Sequence, residues 1–310
     1  MPLRQTRSQT RVNATQTQDE SQRAPRDVAP SSLFNKTDDV ASNSAIAPPK
    51  QSITVLPETL TRTITGLGTK NQQTLTRKQD WLREYTLDIP SSCAKHGAAI
   101  DATLVFAQEE AGTAVCISTR GILLTCAHCV AESPEEQSRS KSHWLLFRDG
   151  RAVKAKCIAW DPRRDLALLG IIAAQTSSEL GNGCFPSARV AETQPAVGSR
   201  LVCVGHPGSE DLEASQPGIE TNYDVLHAST GRFRGCVEGQ DPQDNSQIGA
   251  MRHDCWTYWG HSGAPLIETK TGRLTGLHSS WDDETAMRHG IPLIAVQEFL
   301  EENKKAVDGW

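Results

Sequence analysis

The chain has 310 residues, enough for one large or two small domains, with 37% apolar and 5% aromatic residues and a net charge of −5. Its longest apolar stretch, 166–174, is followed at once by polar residues, which excludes a bilayer-spanning helix. Nine cysteines, an odd number with no apolar leader before them, exclude a secreted disulfide scaffold and read as buried free thiols.

In chain order, residues 1–80 contain a single aromatic, Phe34, and are rich in Thr, Gln, Ser, Arg and Pro. Such a segment buries too little apolar surface to offset its ordering entropy, so a disordered tail is expected over 1–80. It carries 11 Lys/Arg against 7 Asp/Glu, whereas 81–310 carries 21 against 30. The tail arginines are scattered without aromatic interleaving, so they read as a solvated linker and not as a contact for nucleic acid or membrane. The N-terminus has no apolar h-region, so a secretory leader is not expected. The first eighteen residues hold Arg and Ser/Thr and no acid, which permits a mitochondrial address but shows no clear amphipathic helix. The expectation is a soluble intracellular protein of the cytoplasm or nucleus, not a secreted one.

From Trp81 onward, short β-type runs alternate with turn residues: 101–106, 113–118, 122–125, 143–147, 152–160, 165–171, 200–204, 225–229, 232–237, 264–268, 272–278 and 290–293. Asp149-Gly150 between two of them is a tight hairpin signal, since both residues tolerate positive φ. About a dozen short strands predict an all-β domain over 81–310, a closed or two-barrel one and not a doubly wound one, with the barrels at about 100–175 and 195–295. Residues 294–300 alternate as a helix does and predict a C-terminal helix.

Three segments carry chemistry. His128 sits where the apolar run Ile122-Leu123-Leu124 gives way to a loop, in the sequence Cys126-Ala-His-Cys129. A structural loop histidine is the bland alternative, and zinc is a third, although Cys-x-His-Cys lacks the paired spacing of a structural zinc site. Asp165 opens the run Leu166-Ala-Leu-Leu169; it is either part of a charged turn with Asp161, Arg163 and Arg164 or the carboxylate that accepts from His128 Nδ1. Ser262 lies in Gly260-His-Ser-Gly263, where glycines on both sides allow a turn that presents the hydroxyl and aims the amides of Gly260 and Ser262 at one point. Each such oxyanion-hole donor contributes about 3 kcal/mol to an acyl-transfer transition state. The α/β-hydrolase elbow does not fit, because position 264 is Ala and the chain order is His, Asp, Ser.

On these residues the stretch 112–293 resembles a trypsin-fold serine peptidase, closer to the Deg/HtrA proteases than to secreted trypsins. The resemblance runs through Gly112-Thr-Ala114, the hairpin Asp149–Lys156 with the motif Asp161–Leu169, the turn Val204-Gly-His-Pro-Gly208, the acidic Asp254, and the strands Gly276–Ser280 and Gly290–Pro292. It implies two six-stranded antiparallel β-barrels, a His128, Asp165, Ser262 triad, an oxyanion hole from the Gly260 and Ser262 amides, and a substrate strand at His278, Ser279 and Ser280 that pairs with an extended peptide. Trp256, six residues before Ser262, stands where trypsins carry an acid that binds Lys or Arg, so basic P1 preference is not expected. Trp256, Tyr258, Trp259 and Trp281 either wall the cleft or pack as core.

Departures carry information too. Thr113 and Tyr258 occupy positions where secreted trypsins place disulfide cysteines, in keeping with a reducing compartment. His261 replaces the aspartate that receives a freed N-terminus in trypsin zymogens, and Ala264 replaces a glycine, which leaves the turn less free. No PDZ-like domain is expected after Leu293. The reading is an intracellular serine endopeptidase acting on polypeptides without metal or cofactor, with a catalytically silent peptide-binding module as the alternative.

Overall fold

Composition assigns residues 1–80 to a tail, yet the chain takes structure well before Trp81. The computed structural model describes residues 52–107, 112–139, 142–175, 184–211, 214–216 and 218–310. Residues 1–51 of the expected tail lie outside the described residues. Within the rest, a short strand β1 (Thr54–Leu56), a helical turn α1 (Arg62–Thr65) and a four-turn helix α2 (Thr69–Glu84) pack on the first barrel. The buried face of α2 is Thr74, Leu75, Lys78, Gln79 and Leu82, at helical spacing but mostly polar. Lys78 Nζ donates to Phe106 O at 3.1 Å, and Gln79 Nε2 donates to Gly150 O at 2.7 Å and Gln175 Oε1 at 2.8 Å. The helix thus docks by hydrogen bonds to buried groups at the barrel's strand ends and turn, which a count of aromatics does not detect, and regular structure begins before the boundary expected at residue 81.

The first barrel is β2 (Thr103–Phe106), β3 (Thr113–Cys116), β4 (Ile122–Cys126), β5 (His143–Phe147), β6 (Ala152–Asp161) and β7 (Leu166–Gln175), each antiparallel to its neighbours. Pairing of β6 with β7 closes it, and β1 adds to β7 in parallel. The β5–β6 hairpin turns at Asp149-Gly150 as expected, with Gly150 at φ +79°. A short helix α3 (Gly97–Asp101) leads into β2, and α4 (Pro134–Arg139) follows β4.

The second barrel closes in the order β10-β13-β12-β11-β8-β9. Its strands are β8 (Arg200–Gly205), β9 (His227–Cys236), β10 (Met251–His253), β11 (Pro265–Glu268), β12 (Leu274–Trp281) and β13 (Arg288–Pro292). Residues 225–229 and 232–237, read as two strands, fall mostly on the single long β9. Its Gly231 marks no turn: a Cβ there would lie 2.4 Å from Cys255 N, so the glycine admits a close backbone approach inside a strand. Strand β10, Met-Arg-His, has no alternating apolar pattern and was not expected.

Helix α5 (Leu293–Glu302) follows β13 at once, as predicted, and α6 (Lys304–Asp308) ends the chain. One apolar core runs from the first barrel through Val202, Leu274, Leu277 and Ile291 to Val296 and Phe299, so the barrels share an interior. No helix among the described residues is long and apolar enough to cross a membrane.

Candidate active site

His128 lies in a 3-10 turn, Ala127–Cys129, at the end of β4, where the first barrel faces the second. Asp165 precedes β7, the neighbour of β4, and this adjacency brings carboxylate and imidazole together. His128 Nδ1 lies 2.9 Å from both Asp165 carboxylate oxygens, and the His128 amide donates to Oδ1 at 3.1 Å. Asp165 adopts φ +55°, a left-handed conformation that aspartate tolerates better than most residues. The hydrogen bond from Ala127 N to Asp165 O at 3.0 Å and the His128 contacts hold it there. The carboxylate is 3% exposed, and its buried charge is satisfied by these donors. Burial disfavours the His128 imidazolium, but the adjoining Asp165 carboxylate and Cys129 outweigh it and hold the ring well above its ordinary pKa.

Ser262 sits on the turn before β11. The turn is tied to the first barrel by Thr113, whose amide donates to Ser262 O at 2.7 Å and whose hydroxyl donates to Gly260 O at 3.0 Å. Cys129 Sγ donates to the same Ser262 carbonyl at 3.4 Å, so the residue after His128 touches the serine's own backbone. The Ser262 hydroxyl donates to Ser279 O at 3.2 Å, and no hydrogen bond joins it to His128 among the described residues. The three residues are therefore gathered at one interbarrel site, with the His–Asp pair engaged and the serine hydroxyl turned to β12.

The backbone of the turn has the form needed to present two amides. Gly260 adopts φ +94° and Gly263 φ +83°. A Cβ on Gly263 would fall 2.0 Å from Thr113 O, and one on Gly260 would fall 2.5 Å from His206 O, so glycine is required at both. Trp259 O accepts from Gly208 N at 2.6 Å. Because the Trp259–Gly260 peptide is trans, that anchor turns the Gly260 N–H away from Gly208. Among the described residues neither the Gly260 nor the Ser262 amide is spent on another acceptor. Ala264 fits without left-handed backbone: the space comes from Gly205, where a Cβ would lie 3.0 Å from the Ala264 methyl.

Of the residues expected to meet substrate, His278 does not face the cleft. It is 2% exposed, its carbonyl accepts from Gly263 N at 2.8 Å, and its amide donates to Ala264 O at 2.9 Å. Ser279 presents its carbonyl to Ser262, and Ser280 lies beyond it on β12, so the free edge of that strand starts one residue later than expected. Trp256 packs in a cluster with Tyr223, His227, Tyr258 and His261, while Trp259 and Trp281 form a separate edge-to-face pair 4.7 Å apart.

Sequence reasoning missed the support behind the turn. His253 Nε2 and His278 Nδ1 are 3.1 Å apart, and the His261 ring lies 6.4 Å from that of His278. All three are buried, and burial above all pushes His253 and His261 down to about 3, so this stack is neutral. Thr113 was visible only as a missing cysteine, yet it supplies the bonds that hold the nucleophile turn. As to metals, Cys126 Sγ, His128 and Asp165 offer ligand atoms within 4.8 Å of one another. The direct His128–Asp165 contact already uses both partners, and Cys126 Sγ donates to His278 O at 3.5 Å, so this donor set does not fit a resident ion.

A family model described as a trypsin-like peptidase domain matches residues 112–277. A curated relative, the probable periplasmic serine endoprotease DegP-like of Ectopseudomonas mendocina (strain ymp), is 26% identical over 207 residues, covering 64% of this chain and 37% of the relative. The chain thus spans little more than a third of that relative's length. Among solved structures, a serine endoprotease from Yersinia pestis aligns with a TM-score of 0.48 at 19% identity, over 69% of this chain and 67% of that one. The HtrA-type protease AlgW with a decapeptide aligns with a TM-score of 0.43 at 21% identity, over 64% and 51%.

Proposed function

Since the chain belongs to the trypsin-like peptidase domain family, matched over more than half its length, we propose that it is a serine endopeptidase with Ser262, His128 and Asp165 as its triad. The observation that carries this reading is the two-oxygen contact of Asp165 with His128 Nδ1 at 2.9 Å, on a turn whose next residue touches Ser262 O. Asp165 fixes the tautomer that leaves His128 Nε2 as acceptor. Rotation of the Ser262 side chain from Ser279 O to Nε2 supplies the attacking oxygen, a rearrangement common when a substrate enters an empty site. Ser262 Oγ attacks the scissile carbonyl, His128 takes the proton and returns it to the leaving amine, and water hydrolyses the acyl-enzyme by the same route. The Gly260 and Ser262 amides receive the oxyanion. The β12 edge from Ser279 onward offers backbone groups to an extended polypeptide, and Trp256 and its aromatic neighbours favour apolar over basic side chains nearby.

A peptide-binding module without turnover is the second reading, favoured by the Ser262 hydroxyl's bond to Ser279. Hydrolysis of an unfolded polypeptide such as casein by the purified protein, beside Ser262→Ala, decides between them. Cleavage abolished by the substitution supports the endopeptidase; binding without cleavage supports the module. We place the enzyme inside the cell. The relative is named periplasmic, but all nine cysteines here are free, which favours a reducing compartment. A fluorescent fusion that accumulates in the secretory route or outside the cell would overturn that assignment.

A further inference from the structure

Cys126 closes β4 and Cys129 ends the 3-10 turn, so a Cys-x-x-Cys pair straddles the loop that carries His128. Both are free thiols, separated by only Ala127 and His128 where the last residue of β4 passes into the 3-10 turn. Cys126 is fully buried, whereas Cys129 is half-buried. The acyl-transfer scheme uses neither sulfur. Their other contacts both lead to the nucleophile turn. Cys129 Sγ reaches Ser262 O at 3.4 Å, and Cys126 Sγ reaches His278 O at 3.5 Å, the carbonyl that also receives Gly263 N.

We propose that Cys126 and Cys129 form an oxidisable dithiol that a peroxide closes to a disulfide, and that closure slows acyl transfer at Ser262. The chemistry balances with hydrogen peroxide as oxidant. A lone pair of the Cys129 sulfur, the more accessible one, forms an S–O bond as the O–O bond breaks. The departing hydroxide takes the thiol proton and leaves as water, giving a sulfenic acid. The Cys126 sulfur then attacks the Cys129 sulfur, its proton joins the leaving hydroxide, and a second water departs. Two thiols are oxidised and one peroxide is reduced. The thiol environments suit these roles: the neighbouring Cys126 and His128 side chains lower the Cys129 pKa against its burial, while burial raises that of Cys126. Closure draws each sulfur from its carbonyl acceptor onto the other, which removes two ties between the His128 loop and the Ser262 turn.

The effect on turnover rests on the serine-endopeptidase reading; the cross-link does not. The test treats the full-length reduced protein with hydrogen peroxide, alkylates remaining thiols, digests with trypsin, and measures fluorophosphonate labelling in parallel. Tryptic peptide 121–139 contains these two cysteines and no other. It is expected to lose two hydrogen atoms and escape alkylation. Labelling is expected to slow by at least roughly tenfold, given that a misplacement of about 1 Å can cost 10²-fold, and to recover with dithiothreitol. Cys126→Ala/Cys129→Ala, if folded, labels at a rate that peroxide does not change, which assigns the effect to this pair; the wild-type peptide mass decides the cross-link without it. An alkylated peptide after peroxide treatment overturns the proposal, as does a cross-link that leaves labelling unchanged. A cross-link in protein that never labels, even reduced, keeps the dithiol and discards the serine reading.

Discussion

Substitution of Gly260 by alanine tests the geometry of the nucleophile turn more sharply than removal of a catalytic group. The new Cβ would meet His206 O at 2.5 Å and Gly208 N at 3.0 Å, both backbone atoms, at a φ of +94°. Left-handed backbone costs an L-residue about 1–2 kcal/mol. Overpacking against backbone adds about 1–3 kcal/mol unless the turn moves. The turn relieves the clash by lifting from Gly208, which breaks the 2.6 Å bond to Trp259 O and frees the Trp259–Gly260 peptide to rotate. The Gly260 amide then no longer aims at the oxyanion, a loss of about 10²–10³ in rate. Gly260→Ala should therefore lower the second-order rate of fluorophosphonate labelling by that factor while urea denaturation shows a loss of about 2–3 kcal/mol. Gly239→Ala is the control: its φ is +77° but nothing lies within 4 Å of the added methyl. It should cost about 1 kcal/mol of stability and leave labelling unchanged. A folded Gly260→Ala protein that labels at the wild-type rate would refute the assignment of that amide.

Only neutral His128 accepts a proton, and its pKa is raised, so labelling should fall as pH drops through a value above the ordinary 6.5. Asp165→Asn removes the raising charge; its pH–rate profile should shift to lower pH and its plateau should drop by about 10⁴-fold. His253 and His261 are neutral when folded, with pKa values near 3 against 6.5 unfolded. The unfolded chain binds more protons between those values, so their contribution is fully present above pH 6.5 and is lost as pH falls toward 3. Each should cost up to about 1.4 kcal/mol per pH unit in that window, and His253→Phe should flatten the slope measured by urea denaturation at successive pH values. Leu75 on α2 is fully buried, so Leu75→Ala should destabilise the domain by about 2–5 kcal/mol, whereas a residue in a solvated tail would give no change.

The site was legible where the chemistry is local. Glycines around Ser262, an apolar strand running into His128 and an aspartate opening an apolar strand are patterns within a few residues; pairing of β4 with β7 brings His128 beside Asp165, and the Thr113 bonds across the barrels hold the Ser262 turn near them. What stayed hidden depends on contacts distant in sequence. Thr113 holds Ser262 and Gly260 from the other barrel, and the His253–His278 contact joins β10 to β12. Helix α2 escaped because it buries Lys78 and Gln79 on carbonyls and an amide of the barrel, where apolar counting assigns no core. The two runs 225–229 and 232–237 fall mostly on one strand because Gly231, between them, admits a close backbone approach to Cys255 that only the folded barrel shows. His278 illustrates the limit of a residue-level resemblance: its position on β12 was foreseen, but not that the barrel consumes both its backbone groups.

The central claim is that His128 activates Ser262. The most direct measurement is stoichiometric labelling of the folded, reduced protein by a fluorophosphonate, beside Ser262→Ala and His128→Ala. The account predicts one label per chain on Ser262, lost in Ser262→Ala and slowed by several orders of magnitude in His128→Ala, with the double variant no worse than the poorer single because the groups act as a unit. Folded wild-type protein that takes no label, or takes it equally without His128, would contradict it.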